Sequence, residues 1–204
     1  MEIVFVRHGE SVANLNGVVQ GRGDYKLTPK GRDQAIRTAN ALVDFRPYRI
    51  YTSPLSRAHE TAEIINRPHG VEVVVLEELL EYSLGEFEGL TFEEIVEKYP
   101  HVPAELEKGR PFHQLPKGAE RDEDVDIRAE AVLTRIMDSG QPRIMVVAHL
   151  GILERLIINF AGNHSKNDFS KELDWPLKNC SITRLIHEPI GTRLISFNDV
   201  SHLE

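Results

Sequence analysis

Apolar residues along this chain fall into two kinds of segment that take turns. Short β-branched runs, Ile3-Val4-Phe5-Val6, Arg49 to Thr52, Val71 to Leu76 and Arg143 to Ala148, read as buried strands. Between them lie stretches with a 3.6-residue apolar period. Ala35, Ile36, Ala39, Leu42 and Val43 mark one helix face, begun by Thr28 as a cap with Pro29 in the first turn. Leu55, Ala58, Ala62 and Ile65 mark a second, with Ser53-Pro54 as its cap and proline. Val125, Ala129, Val132, Leu133 and Ile136 mark a third, over Glu120 to Met137, ended by Gly140 and Pro142. A fourth covers Ile152 to Phe160, with Gly162 as its C-cap. Ser181 to Phe197 reads as two antiparallel strands around Pro189-Ile190-Gly191. Strands alternating with helices predict an α/β domain whose sheet is mostly parallel.

Two segments break the alternation. Asn14 to Leu27 is a polar loop with Gly17, Gly21 and Gly23, and loops of that length are often functional. Glu77 to Glu97 is strongly acidic. There Thr91 and Glu94 make a capping box, while Glu81 sits between the apolar pair Leu79-Leu80 and the glycines Gly85 and Gly89. Pro100 to Lys117 is proline-rich and aperiodic, and reads as a loop or lid. The chain is expected to be one domain over 1–204, with 77–120 as an inserted lid or subdomain.

Composition narrows the partners. The chain has 204 residues, 41% hydrophobic, with a formal net charge of -8. It has no run of Lys or Arg, which argues against nucleic acid or an anionic membrane as its partner. No stretch approaches the roughly 18 apolar residues of a membrane span, and no signal-peptide core opens the chain. The expectation is a cytoplasmic protein. Its one cysteine, Cys180, lies in a strand-like run and reads as a buried structural thiol.

The candidate chemistry sits where strands meet helices. The first strand runs into Arg7-His8-Gly9-Glu10, the fourth into His149-Leu150-Gly151, and Arg57 falls in the first turn of the second helix. In an open parallel sheet all these junctions lie on the carboxyl edge, where ligands bind. Two assignments compete. His8, His149 and Glu81 form a plausible zinc ligand set. Alternatively, one histidine is a nucleophile toward phosphate. Arg7 and Arg57 favour the second, because two guanidiniums repel a divalent cation but fit phosphoryl oxygens.

These residues resemble, in order and over nearly the whole chain, the histidine phosphatase superfamily, the phosphoglycerate-mutase-like family. Arg7-His8-Gly9-Glu10-Ser11 with Asn14 resembles its signature. Leu27-Thr28 with Gly31 and Gln34-Ala35, Ser53-Pro54-Leu55 with Arg57-Ala58 and Thr61-Ala62, and Glu81 with Gly85 to Gly89 follow. Gly118, Glu120, Asp124 and Arg128, then His149, then Asn179 to Thr183 complete the set. The resemblance implies a three-layer α/β/α fold and a metal-independent phosphatase without a cofactor. It implies His8 as the residue that becomes a phosphohistidine, Arg7, Arg57 and His149 as stabilisers of phosphoryl charge, and Glu81 as acid and base. Asn14, Gln20, Gly21 and Leu150 fall where the family contacts phosphate or substrate.

Four positions depart from the family pattern: Leu80 where Arg is frequent, Leu150 where Gly is, Glu154 where Arg is, and Ala119 at an acidic or glycine position. The short chain and Leu80 favour a phosphatase over a cofactor-dependent phosphoglycerate mutase. The intact five-residue set argues against a catalytically weak regulatory or binding module. The expected partner is a small phosphorylated metabolite, such as a sugar phosphate, phosphoserine or ribazole phosphate, met by a monomer or homodimer.

Overall fold

The computed structural model describes residues 1–164 and 176–204. A six-stranded sheet runs in the order β3-β2-β4-β1-β5-β6. Its strands are β1 (Glu2–Arg7), β2 (Arg49–Thr52), β3 (Glu72–Val75), β4 (Arg143–Ala148), β5 (Ile182–Glu188) and β6 (Gly191–Asp199). The first four are parallel. β5 is antiparallel to β1 and β6 to β5. β1 and β4 are almost wholly apolar because both faces of a parallel sheet are covered.

Period-two alternation assigns those faces. Ile3, Phe5, Ile144 and Val146 pack with α6 (Asp122–Asp138) and α7 (Leu150–His164). Val4, Val6, Met145 and Val147 face the other way, toward α3 (Ser56–Asn66) and the end of α2 (Pro29–Ala41). The result is a three-layer α/β/α fold. The apolar face expected for α6 is buried at every position. On α2 the buried face is rotated: Gly31, Ala35, Thr38 and Ala39 are inside, while Ile36 and Val43 are exposed. Close approach to the loop after β1 requires small residues there, and that outweighs side-chain hydrophobicity.

The segment between β3 and α6 holds two short helices, α4 (Phe92–Lys98) and α5 (Val102–Glu107). The Thr91–Glu94 capping box begins α4. α5 occupies part of the stretch that looked aperiodic, with Pro103 in its first turn, where a missing N–H costs no hydrogen bond. Phe87, Ile95 and Val102 form a small apolar cluster of their own there. α7 starts at Leu150, two residues earlier than its apolar period suggested, and runs past Gly162 to His164. Among the described residues no helix is long and apolar enough to cross a membrane.

One contact between α2 and β1 leaves no room for a side chain. A Cβ on Gly31 would lie 2.1 Å from the Glu10 carbonyl oxygen, and one on Gly9 would lie 2.4 Å from that of Gly31. Both obstacles are backbone, which cannot swing aside. Gly31→Ala should therefore cost about 2 kcal/mol or more in urea unfolding. A wild-type midpoint in that variant would show that the helix can retreat freely.

Candidate active site

β1 delivers Arg7 and His8 to the carboxyl edge of the sheet, and the backbone there is pinned from both sides. The His8 N–H donates to the Ala148 carbonyl of β4 (2.9 Å). The Asn179 side-chain amide donates to the His8 carbonyl (2.9 Å), and the Cys180 N–H donates to that of Arg7 (3.0 Å). Gly9 N–H donates to Thr61 Oγ1 (3.1 Å), whose hydroxyl donates to the Arg57 carbonyl (2.6 Å), so the loop is also tied to α3.

The His8 ring is buried, with Nδ1 2.7 Å from the Gly9 carbonyl oxygen. A carbonyl only accepts, so Nδ1 carries the proton and the neutral ring keeps its lone pair on Nε2. Burial first, then the charges of Arg7 and Arg57, hold the His8 pKa well below its ordinary 6.5. The His149 ring lies 5.2 Å away, centroid to centroid, tilted by 59°. Its Nε2 shares a 2.8 Å hydrogen bond with Ser53 Oγ. Burial, Arg57, His8 and Arg7 depress its pKa as strongly. Ser53 is therefore not the cap of α3. The helix starts at Ser56 with no side-chain cap, and Ser53 instead orients the second histidine.

Arg57 is a buried cation and Arg7 a partly buried one. Arg57, 1% exposed, donates Nη1 to the Gly23 carbonyl (2.7 Å) and Nη2 to that of Gly21 (2.9 Å). Burial lowers its pKa to about 10, against the pull of Glu81 and Asp24, so it remains charged at neutral pH. Arg7 donates to the Leu177 carbonyl. Nε of each guanidinium and Nδ1 of His149 are buried with no partner among the described residues. Buried polar groups are seldom left so, and all three belong to residues whose charge or ring acts on His8.

Glu81 reaches the cluster from a different element. Its carboxylate accepts N–H bonds from Tyr82 (2.9 Å), Gly151 (3.0 Å) and Ile152 (3.2 Å). It thus caps the first turn of α7, where N–H groups are otherwise orphaned. The backbone behind it is clamped. Arg128 Nη1 donates to the carbonyls of Glu78 (2.6 Å) and Leu80 (2.9 Å), and Arg22 Nε to that of Glu81 (3.3 Å). Glu120 joins the two arginines through ion pairs of 2.9 and 3.1 Å.

The other expected contacts divide. Leu150 lines a cavity beside Glu81. Asn14 lies in α1 (Val12–Leu15), where its Oδ1 accepts from the N–H of the cap residue Ser11 (3.1 Å) and from Asn179 (3.3 Å), which also bonds the His8 carbonyl. Gln20 accepts from Ser11 Oγ (2.8 Å), and Gly21 serves Arg57 through its carbonyl. Cys180 is buried, and burial pushes its thiol up to about 12. Among the described residues no three His, Cys, Asp or Glu side chains are grouped to hold a metal ion.

A family model described as the histidine phosphatase superfamily, branch 1, matches residues 3–200. The chain belongs to the histidine phosphatase superfamily. This histidine phosphatase is 32% identical over 200 residues to a Hydrogenobacter thermophilus protein provisionally named phosphoserine phosphatase 2, with 98% of this chain and 96% of the relative covered. It is 36% identical over 158 residues to phosphoglycerate mutase-like protein 4 of Arabidopsis thaliana, covering 76% and 69% of the two chains. Among solved structures it resembles mycobacterial glucosyl-3-phosphoglycerate phosphatase in complex with VO3. There the TM-score is 0.84 at 28% identity, over 98% of this chain and 99% of that one.

Two measurements check this geometry. Because both histidines have pKa values held below 6.5, their ring signals in NMR should not titrate between pH 8 and 6 while the protein is folded. The unfolded rings protonate near 6.5, so stability is full above that pH and falls below it, by up to about 1.4 kcal/mol per pH unit for each ring. A midpoint near 6.5 in the folded state contradicts the burial. Separately, a Cβ on Gly151 would lie 2.7 Å from Glu81 Oε1 and 2.5 Å from Tyr82 Cδ2. Gly151→Ala should unseat Glu81 and cut turnover by about a hundredfold, with the far-UV spectrum retained. Turnover at the wild-type level would mean that Glu81 needs no such seat.

Proposed function

We propose that this protein is a phosphatase that hydrolyses small phosphomonoesters through a phosphohistidine on His8. The observation that carries the reading is the Nδ1–H bond of His8 to Gly9, which leaves a neutral nucleophilic nitrogen under the charges of Arg7 and Arg57. Nε2 attacks phosphorus and the bond from phosphorus to the ester oxygen breaks. Glu81 gives that oxygen a proton, and the alcohol departs. Water then attacks the phosphoryl group, its proton passes to Glu81, and the P–N bond breaks to restore the lone pair on Nε2. Arg7, Arg57 and His149, with their unpartnered nitrogens, stabilise the negative charge gathered on the phosphoryl oxygens. Asn14 and Gln20 hold the loop beneath the phosphate. The 77–120 segment acts as a lid on the leaving-group side, where Phe112 and His113 line the cavity next to Glu81.

The relatives named as phosphatases support hydrolysis over mutation. Hydrolysis of p-nitrophenyl phosphate should persist in EDTA and be blocked by vanadate. His8→Ala should abolish both turnover and acid-labile labelling by radioactive phosphate ester. Normal activity in that variant would refute the nucleophile. Bisphosphate-primed interconversion of phosphoglycerates, faster than hydrolysis of any ester, would replace the phosphatase with a mutase.

A further inference from the structure

Beside Glu81 lies a cavity of about 270 Å³. Leu84, Phe112, Leu150 and Ile158 give it apolar walls. Its charged groups are unequal in what they offer a ligand. Arg155 is already engaged by both carboxylate oxygens of Asp126 on α6, and His113 bonds Asp122 on the same helix (2.7 Å). Glu154 has no hydrogen bond or ion pair among the described residues. It stands on α7 three residues after Gly151 and four after Leu150. A helical side chain leans back over the preceding turn, which carries the Glu154 carboxyl toward Glu81 and the mouth of the phosphoryl site.

We infer that Glu154 sets the charge of the alcohol released here: the cavity accepts neutral or cationic leaving groups and turns away those bearing a carboxylate or a second phosphate. This rests on the phosphomonoesterase reading and adds to it a substrate class. Once a phosphoryl group occupies Arg7 and Arg57, and Glu81 holds the proton it gives to the leaving oxygen, the cavity's remaining carboxylate without a hydrogen bond or ion pair among the described residues is Glu154. A cationic or hydroxyl-rich tail gains a charge-assisted hydrogen bond from Glu154. An anionic tail meets a like charge in a largely apolar cavity. Glu154 is faced by Glu81 from the β3–α6 segment and by Arg7 from β1, with Arg155 beside it on α7 and His113 across the cavity. Burial and Glu81 push its pKa up to about 7, against the pull of Arg7 and Arg155. Its charge therefore appears as pH rises through neutrality, and the discrimination strengthens in the same direction.

The test is a ratio of kcat/KM values, phosphoethanolamine over 3-phosphoglycerate, with p-nitrophenyl phosphate as a third ester. In the wild type the ratio should exceed about ten at pH 8 and shrink at pH 6. In Glu154→Gln it should fall toward one at both pH values, and in Glu154→Arg it should invert. Thermal melting confirms that each variant is folded. If p-nitrophenyl phosphate is hydrolysed while the ratio is the same in the wild type and in folded Glu154→Gln, Glu154 does not select charge and the phosphatase reading stands. If the wild type hydrolyses none of the three esters or any other phosphomonoester, the phosphatase reading fails and takes this inference with it.

Discussion

The guanidiniums of Arg57, which is buried, and Arg7, which is partly buried, constrain everything around them. A buried cation without partners costs several kcal/mol. The glycine-rich loop supplies the carbonyls of Gly21 and Gly23 to Arg57, and the chain before β5 supplies that of Leu177 to Arg7. Gly21 can offer its carbonyl there because it adopts φ +48°, and a Cβ at that position would collide with Glu88. Burial first, and then the same two charges, keeps His8 neutral. The two cations thus bear both on the loop and on the protonation state of His8.

Glu81 is held by the opposite logic. It is a carboxylate at the positive end of α7, seated on N–H groups that the helix cannot use. A helix beginning immediately after His149 therefore does two things. It fixes the second histidine at the sheet edge, and it presents the seat for Glu81. The Arg22–Glu120–Arg128 network braces the segment behind Glu81. The Glu81 carboxylate is positioned by backbone on both sides.

Much of this was legible in the sequence, and the reason is local. Arg7-His8 and His149 follow β-branched runs so directly that a parallel sheet must bring them to one edge. Arg57 was readable from its place in the first turn of α3. Other parts depend on tertiary contacts that leave no periodic trace. Ser53 before Pro54 looks like a cap, yet it serves a histidine 96 residues away. The buried face of α2 is chosen by the Gly9–Gly31 approach rather than by its most apolar side chains. α5 is too short to show a period. The seat of Glu81 on α7 joins residues 70 apart, and nothing near either one announces it.

The position of β1 in the sheet has a consequence for how the protein is made. The partners of β1 are β4 and β5, whose residues lie more than 130 positions further along the chain. Met1 itself is bound by His187. Until β4 and β5 have been synthesised, this apolar strand lacks its sheet neighbours and is exposed to misassociation. Non-local pairing of this kind is slow to form. His8, which follows the end of that strand, is set in place only once β4 supplies the Ala148 carbonyl to its N–H. Chains truncated before β4 consequently carry Arg7 and His8 without the strand that pins them.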